Sequence, residues 1–118
     1  MRTLIGALSL LLLALGTGSA GAHAFLDHAS PLVGSAVGSA PRDVSLWFTQ
    51  ELEPAFSSVQ VTDANGARVD QGKAQISGNV MRVGLKHLSP GTYRVRWRAL
   101  SVDTHTTEGS FSFSVGGS

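Results

Sequence analysis

The sequence contains no cysteine. That excludes disulfides, thiolate metal sites, a thiol nucleophile and dithiol redox exchange. It also excludes anchoring through a lipid-modified cysteine. Any bound metal would have to be held by nitrogen and oxygen, with a thioether as the one soft donor on offer. Methionine is scarce too, occurring only at Met1 and Met81 in 118 residues. Charge is sparse, with nine Lys+Arg against eight Asp+Glu, and the basic residues form no run. A near-neutral chain of this kind gives no electrostatic basis for binding nucleic acid or a membrane surface. After residue 23 there is no sustained 3.6-residue period. A Ser–His–acid order, a phosphate loop and a Glu-bearing zinc helix motif are also missing.

The length suits one domain. Its first 22 residues have the grammar of an export signal: Arg2, an apolar run over residues 4–15, then small residues ending in Ala20-Gly21-Ala22. The run is about a dozen residues, short of the about 20 that span a bilayer. We expect residues 1–22 to be a cleaved signal peptide and residues 23–118 to form one β domain in the periplasm or outside the cell. Cuts after Ala20 or Ala24 also fit the pattern. Only the cut after Ala22 leaves His23 at the terminus, on a mature chain of 96 residues. With Arg2 gone, eight basic residues face eight acidic ones.

The rest of the chain alternates between apolar and polar residues and is punctuated by turns. Strands are expected at 44–49, 58–62, 75–77, 80–85, 92–100 and 110–115. Asn65-Gly66 and Gly78-Asn79 mark hairpin turns, and Ser89-Pro90-Gly91 launches the 92–100 strand. There Tyr93, Val95, Trp97 and Ala99 should share one face and Arg94, Arg96 and Arg98 the other. About seven short strands at this spacing predict an all-β fold, an antiparallel sandwich or small Greek-key barrel. Tyr93 sits where such domains place a tyrosine that ties a loop, so Tyr93, Trp47 and Trp97 read as structural.

Four histidines could carry chemistry: His23, His28, His87 and His105. Asp103 and His105 are two apart, which in extended chain puts both on one face. On its own that common spacing favours a solvated loop in which Asp103 accepts backbone hydrogen bonds and His105 is idle. A terminal His23 adds an amine nitrogen and Nδ1, which can close a six-membered chelate. Two nitrogens from His23, one from His105 and an oxygen from Asp103 make a tetragonal set that suits Cu(II). Zinc, which favours tetrahedral sites, fits less well. The nitrogens bind only when deprotonated, so affinity should weaken as pH falls through unperturbed values of about 8 and 6.5.

In their order and spacing these segments resemble the CopC family of periplasmic copper-binding, copper resistance proteins. The similarity runs from His23-Ala24-Phe25-Leu26 and Ala29-Ser30-Pro31 through Leu46-Trp47-Phe48-Thr49-Gln50, Phe56-Ser57 and Val61-Thr62-Asp63. It is most specific in Leu88-Ser89-Pro90-Gly91-Thr92-Tyr93, in Val95 with Trp97-Arg98, and in Ser101-Val102-Asp103-Thr104-His105 followed by Gly109 and Phe113. The resemblance implies an immunoglobulin-like or cupredoxin-like β-barrel, and a Cu(II) site made by His23, Asp103 and His105. It also implies an exported, non-enzymatic role in copper homeostasis or resistance as carrier or buffer, or in delivery to a membrane copper transporter of the CopD type.

Some members carry a methionine-rich loop for Cu(I). Met81 alone cannot form one, so one Cu(II) per chain and no Cu(I) site are expected, in a monomer that binds no nucleic acid. His87 should be exposed, and His28 with Asp27 could line the edge of the site. Two other readings compete. A histidine-chelate copper enzyme of the lytic polysaccharide monooxygenase type shares the terminal histidine. Against it, Asp103 would crowd the oxygen position, and no flat aromatic face is evident. A metal-free sandwich interaction module would leave the order of the motifs unexplained.

Overall fold

A computed structural model describes residues 23–116; the expected signal peptide at 1–22 lies outside the described residues. Eight strands form two four-stranded sheets. The strands are β1 (Leu26–Ser30), β2 (Ala36–Val37), β3 (Asp43–Phe48), β4 (Ser58–Thr62), β5 (Asp70–Ser77), β6 (Val80–Leu85), β7 (Gly91–Leu100) and β8 (Thr106–Val115). One sheet has the order β1-β3-β6-β5, the other β2-β8-β7-β4. This is the expected all-β sandwich. Its pairings are antiparallel except that the two-residue β2 lies parallel to the end of β8.

The faces follow from alternation. Tyr93, Val95 and Ala99 of β7 are buried with Trp97 packed against them, while Arg94, Arg96 and Arg98 point outward. From the facing sheet come Val44, Leu46 and Phe48 of β3 and Met81, Val83 and Leu85 of β6. Met81 is fully buried, as its place in a hairpin strand predicts. The Tyr93 hydroxyl donates to the Ser89 carbonyl at 2.5 Å, tying the turn before β7 to the core. Trp97 meets Phe48 edge to face, ring centroids 5.1 Å apart. At the far side of the β4–β5 connection, the Arg68 guanidinium makes two 2.7 Å bonds to Asp70, whose carboxylate also accepts from Val61 N at 2.9 Å.

The longest pairing, β7 with β8, runs in register from Gly91 opposite Val115 to Leu100 opposite Thr106. It ends in the turn Ser101–His105, and this turn sets the position of the site.

Candidate metal centre

Two sequence-distant segments meet at this end of the sandwich. The first is the strand entry at His23–Phe25. Ala24 is fully buried, and its carbonyl accepts a hydrogen bond from the Thr107 hydroxyl of β8. On the other side, Phe25 N donates to Thr49 Oγ1 at 2.9 Å, and Thr49 N donates to the Phe25 carbonyl at 2.8 Å. A small residue is needed at position 24 for the chain to lie this close to both sheets. His23 is thereby held at the seam, partly exposed.

The second segment is the β7–β8 turn. Thr104 N donates to Ser101 O at 2.9 Å and Ser101 N to His105 O at 3.0 Å. Closing so tight a loop puts Thr104 at φ 75°, a left-handed conformation unusual for a branched residue. Val102 N donates to Glu51 O, and Leu52 bridges Ser101, so the turn is also clamped to the segment after β3. Ser101 is fully buried beneath the turn. Its hydroxyl donates to Asp103 Oδ1 and accepts from His105 N at 3.3 Å.

These two supports bring the expected ligands together. The His23 and His105 rings stand edge to face with centroids 4.6 Å apart. His105 Nδ1 lies 3.7 Å from Asp103 Oδ1. Two donors about 2.0–2.2 Å from one metal are at most about 4.4 Å apart, so that pair is spaced as ligands of one ion can be. Both side chains are about half exposed, at 48% for His105 and 46% for Asp103, which leaves the donors open to an incoming ion. The Ser101 hydroxyl and the nearby His105 hold the Asp103 carboxyl below the usual carboxylate range, against a smaller opposing effect of burial. Asp103 is therefore an anion, ready to bind, at neutral pH.

Among the described residues, no three His, Asp or Glu side chains are grouped so that together they could hold a metal ion; the contacts are pairwise, His23 with His105 and His105 with Asp103. The arrangement is instead open and centred on His105, which faces both partners.

The other histidines lie elsewhere. His87 is exposed, as expected. His28 Nδ1 contacts Asp27 Oδ2 at 2.7 Å, and its ring stacks on Trp47 at 4.5 Å and 10° on the outer face of β1–β3. Those contacts are to Asp27 and Trp47, not to His23, Asp103 or His105. The positioning hydroxyls of Thr49, Ser101 and Thr107 were not singled out from sequence. Ser101 alone had a local signal, an oxygen-bearing side chain two residues before Asp103; the two threonines act across the fold.

The chain is thus a small two-sheet β-sandwich with His23, His105 and Asp103 near one exposed end. The CopC domain model matches residues 26–116, and the chain belongs to the CopC family. It is 37% identical over 99 residues to the copper transport protein CutJ of Bacillus subtilis, covering 80% of this chain but only 18% of CutJ. It is 36% identical over 110 residues to copper resistance protein C of Xanthomonas campestris pv. juglandis, covering 86% of each.

Among solved structures, CopC of Methylosinus trichosporium OB3b superposes with a TM-score of 0.71 at 35% identity, covering 80% of this chain and 94% of that one. PcoC of Escherichia coli, described as a methionine-rich copper resistance protein, superposes at 0.70 with 32% identity, covering 79% and 98%. The family is one of copper-binding resistance and transport proteins, not of enzymes, which sets aside the monooxygenase reading. Among the described residues, no helix is long and apolar enough to cross a membrane.

Proposed function

We propose that the chain is exported, cut after Ala22, and binds one Cu(II) per molecule through His23, Asp103 and His105. The observation that supports this reading is that His105 neighbours both His23, from the other end of the described chain, and Asp103. In that mechanism signal cleavage is part of site assembly. Before it, the nitrogen of His23 is an amide; after it, an amine that forms a chelate ring with its own imidazole. His105 supplies a third nitrogen and Asp103 a negative charge, giving the hard-to-borderline N,O donor set that Cu(II) favours. Thr107 and Thr49 hold the His23 segment in place. The tight turn holds the other two ligands.

Copper here is cargo. A half-exposed site suits loading and release better than permanent retention, so the protein serves copper homeostasis and resistance as a periplasmic or secreted carrier or buffer, or in delivery to a membrane copper transporter. Cu(I) is not part of this function: the one methionine among the described residues, Met81, is sealed in the core, whereas a Cu(I) site needs accessible soft donors. We take the carrier to act as a monomer.

The test is intact mass of the exported protein followed by copper titration and electron paramagnetic resonance. A mature N-terminus at His23, one Cu(II) per chain and a tetragonal spectrum with nitrogen couplings are expected. A different N-terminus or a stoichiometry other than one would overturn the reading.

A further inference from the structure

We infer that Ser101 is a positioning residue for copper binding, acting through the Asp103 carboxylate. This rests on the ligand set proposed above. Three observations carry it. Ser101 is fully buried, in a shell where a polar side chain is retained only if it is bonded. Its hydroxyl donates to Asp103 Oδ1, the carboxylate oxygen that faces His105. The Ser101 hydroxyl oxygen in turn accepts from His105 N at 3.3 Å, so this one side chain ties both members of the turn.

Asp103 itself is half exposed and lies in a turn. An aspartate so placed would sample several χ1 and χ2 rotamers, and much of its contribution to binding would go into fixing one. The Ser101 hydroxyl removes that freedom beforehand. It engages one lone pair of Oδ1 and leaves the remaining acceptor positions of the carboxylate for the ion. Groups that orient a metal ligand in this way typically change affinity by about ten- to a hundred-fold when removed.

Backbone anchoring is separable from this role. The turn is also closed by Ser101 N to His105 O and by Thr104 N to Ser101 O, both made by main-chain atoms that a substitution at Ser101 leaves in place. Ser101→Ala should therefore fold, and its metal-free melting curve should lie close to that of the parent chain.

The experiment is a double-mutant cycle on Cu(II) affinity, measured by competition titration on correctly processed protein. Ser101→Ala, Asp103→Ala and the double variant are compared, with metal-free melting curves and paramagnetic resonance spectra for each. Ser101→Ala should lower affinity about ten-fold or more and shift the spectrum toward that of Asp103→Ala. In the Asp103→Ala background the same substitution should cost almost nothing, because the group it acts through has gone. Ser101→Thr, which keeps the hydroxyl, should restore most of the affinity.

Equal losses in both backgrounds would show a general structural role and overturn the inference. So would wild-type affinity in Ser101→Ala. If Asp103→Ala itself binds copper normally, the proposed ligand set fails and this inference with it. Loss with Asp103→Ala but not with Ser101→Ala would sink only the present inference.

Discussion

The imidazoles of His23 and His105 face each other edge to plane at 4.6 Å, although one begins the described chain and the other lies in its last hairpin. Neither segment could hold that geometry alone. The segment after His23 is fixed by hydroxyls from β8 on Ala24 and from Thr49 on Phe25, and His105 by the closed turn between β7 and β8. The two sheets therefore have to be packed before the site exists. Copper binding should accordingly stabilise the folded state, by an amount that grows with the free copper concentration.

The amine of His23 can be tested by one residue. Retaining Ala22 ahead of His23 turns the amine into an amide and abolishes the terminal chelate. Loss of a tethered second donor typically costs about a hundred-fold or more, and we expect Cu(II) affinity to fall by at least that much. Metal-free melting should be unchanged, since the described contacts of the segment begin at His23. Undiminished affinity in a competition titration would remove the amine from the site.

Alanine at His105 or Asp103 should each lower Cu(II) affinity by more than the about ten- to hundred-fold typical of outer-shell groups. His87→Ala is the control, because His87 is exposed and among the described contacts has none to the site. The spectrum of His105→Ala should lose a nitrogen coupling, whereas that of Asp103→Ala should keep the full nitrogen set. Comparable losses from all three variants would mean that the ligands are wrongly chosen.

Much of this was legible in sequence because the long strands alternate strictly, and alternation reports which face is buried without knowledge of the partner sheet. The outer row of Arg94, Arg96 and Arg98 follows from it directly, and the Tyr93 tie from that residue's place just after the Ser89-Pro90-Gly91 turn. Where alternation failed, so did the reading. β1 places Asp27 and His28 side by side, both exposed, across a register shift between Leu26 and His28. β2 is two residues long and exists only through its pairing with β8. β5 begins five residues earlier than Gln75, beyond an irregularity at Gln71–Gln75 that contains Gly72 at φ 75°.

At the candidate site the sequence reading missed the local geometry. Asp103 and His105 were paired by the period of extended chain, yet the segment is a tight turn with Thr104 left-handed. The same two side chains meet for a different reason. Hydroxyls that act across the fold, such as Thr107 on Ala24, leave no local pattern to find.

The Arg68–Asp70 pair predicts an acid dependence. The Asp70 side chain is only 6% exposed, and the Arg68 guanidinium, outweighing the opposing effect of burial, with help from Val61 N, holds its carboxyl below the usual range. A depressed carboxyl stabilises the fold fully above its unfolded value, about 4. That contribution is lost as pH falls through the folded value. Wild-type metal-free protein should therefore lose stability below about pH 4, and Asp70→Asn should show a shallower decline there while being weaker at neutral pH by about 1–3 kcal/mol. Parallel melting curves for the two proteins between pH 2 and 7 would contradict the assignment.

Gly109 sits directly opposite Trp97 in the β7–β8 ladder, and its lack of a side chain is a packing requirement. A Cβ added there would lie 2.5, 2.7 and 3.0 Å from three atoms of the indole, closer than any stable carbon contact. The ring cannot simply yield, because it is rigid and its other neighbour is Phe48, in the core of the facing sheet. Gly109→Ala must therefore push the two sheets apart or turn Trp97 out of its rotamer. Overpacking of this kind costs about 1–3 kcal/mol, which for a domain of this size lowers Tm by about 5–20 °C. Backbone preference works the other way, since alanine favours an ordered strand over glycine, so the net loss is a lower bound on the steric term. Trp97→Leu in the same chain should recover part of the loss by vacating the space that the new methyl needs. The Cu(II) affinity of folded Gly109→Ala should change far less than its Tm, because the turn holding Asp103 and His105 is closed by its own main-chain bonds. A melting temperature equal to that of the parent would mean that the indole does not occupy the space above Gly109.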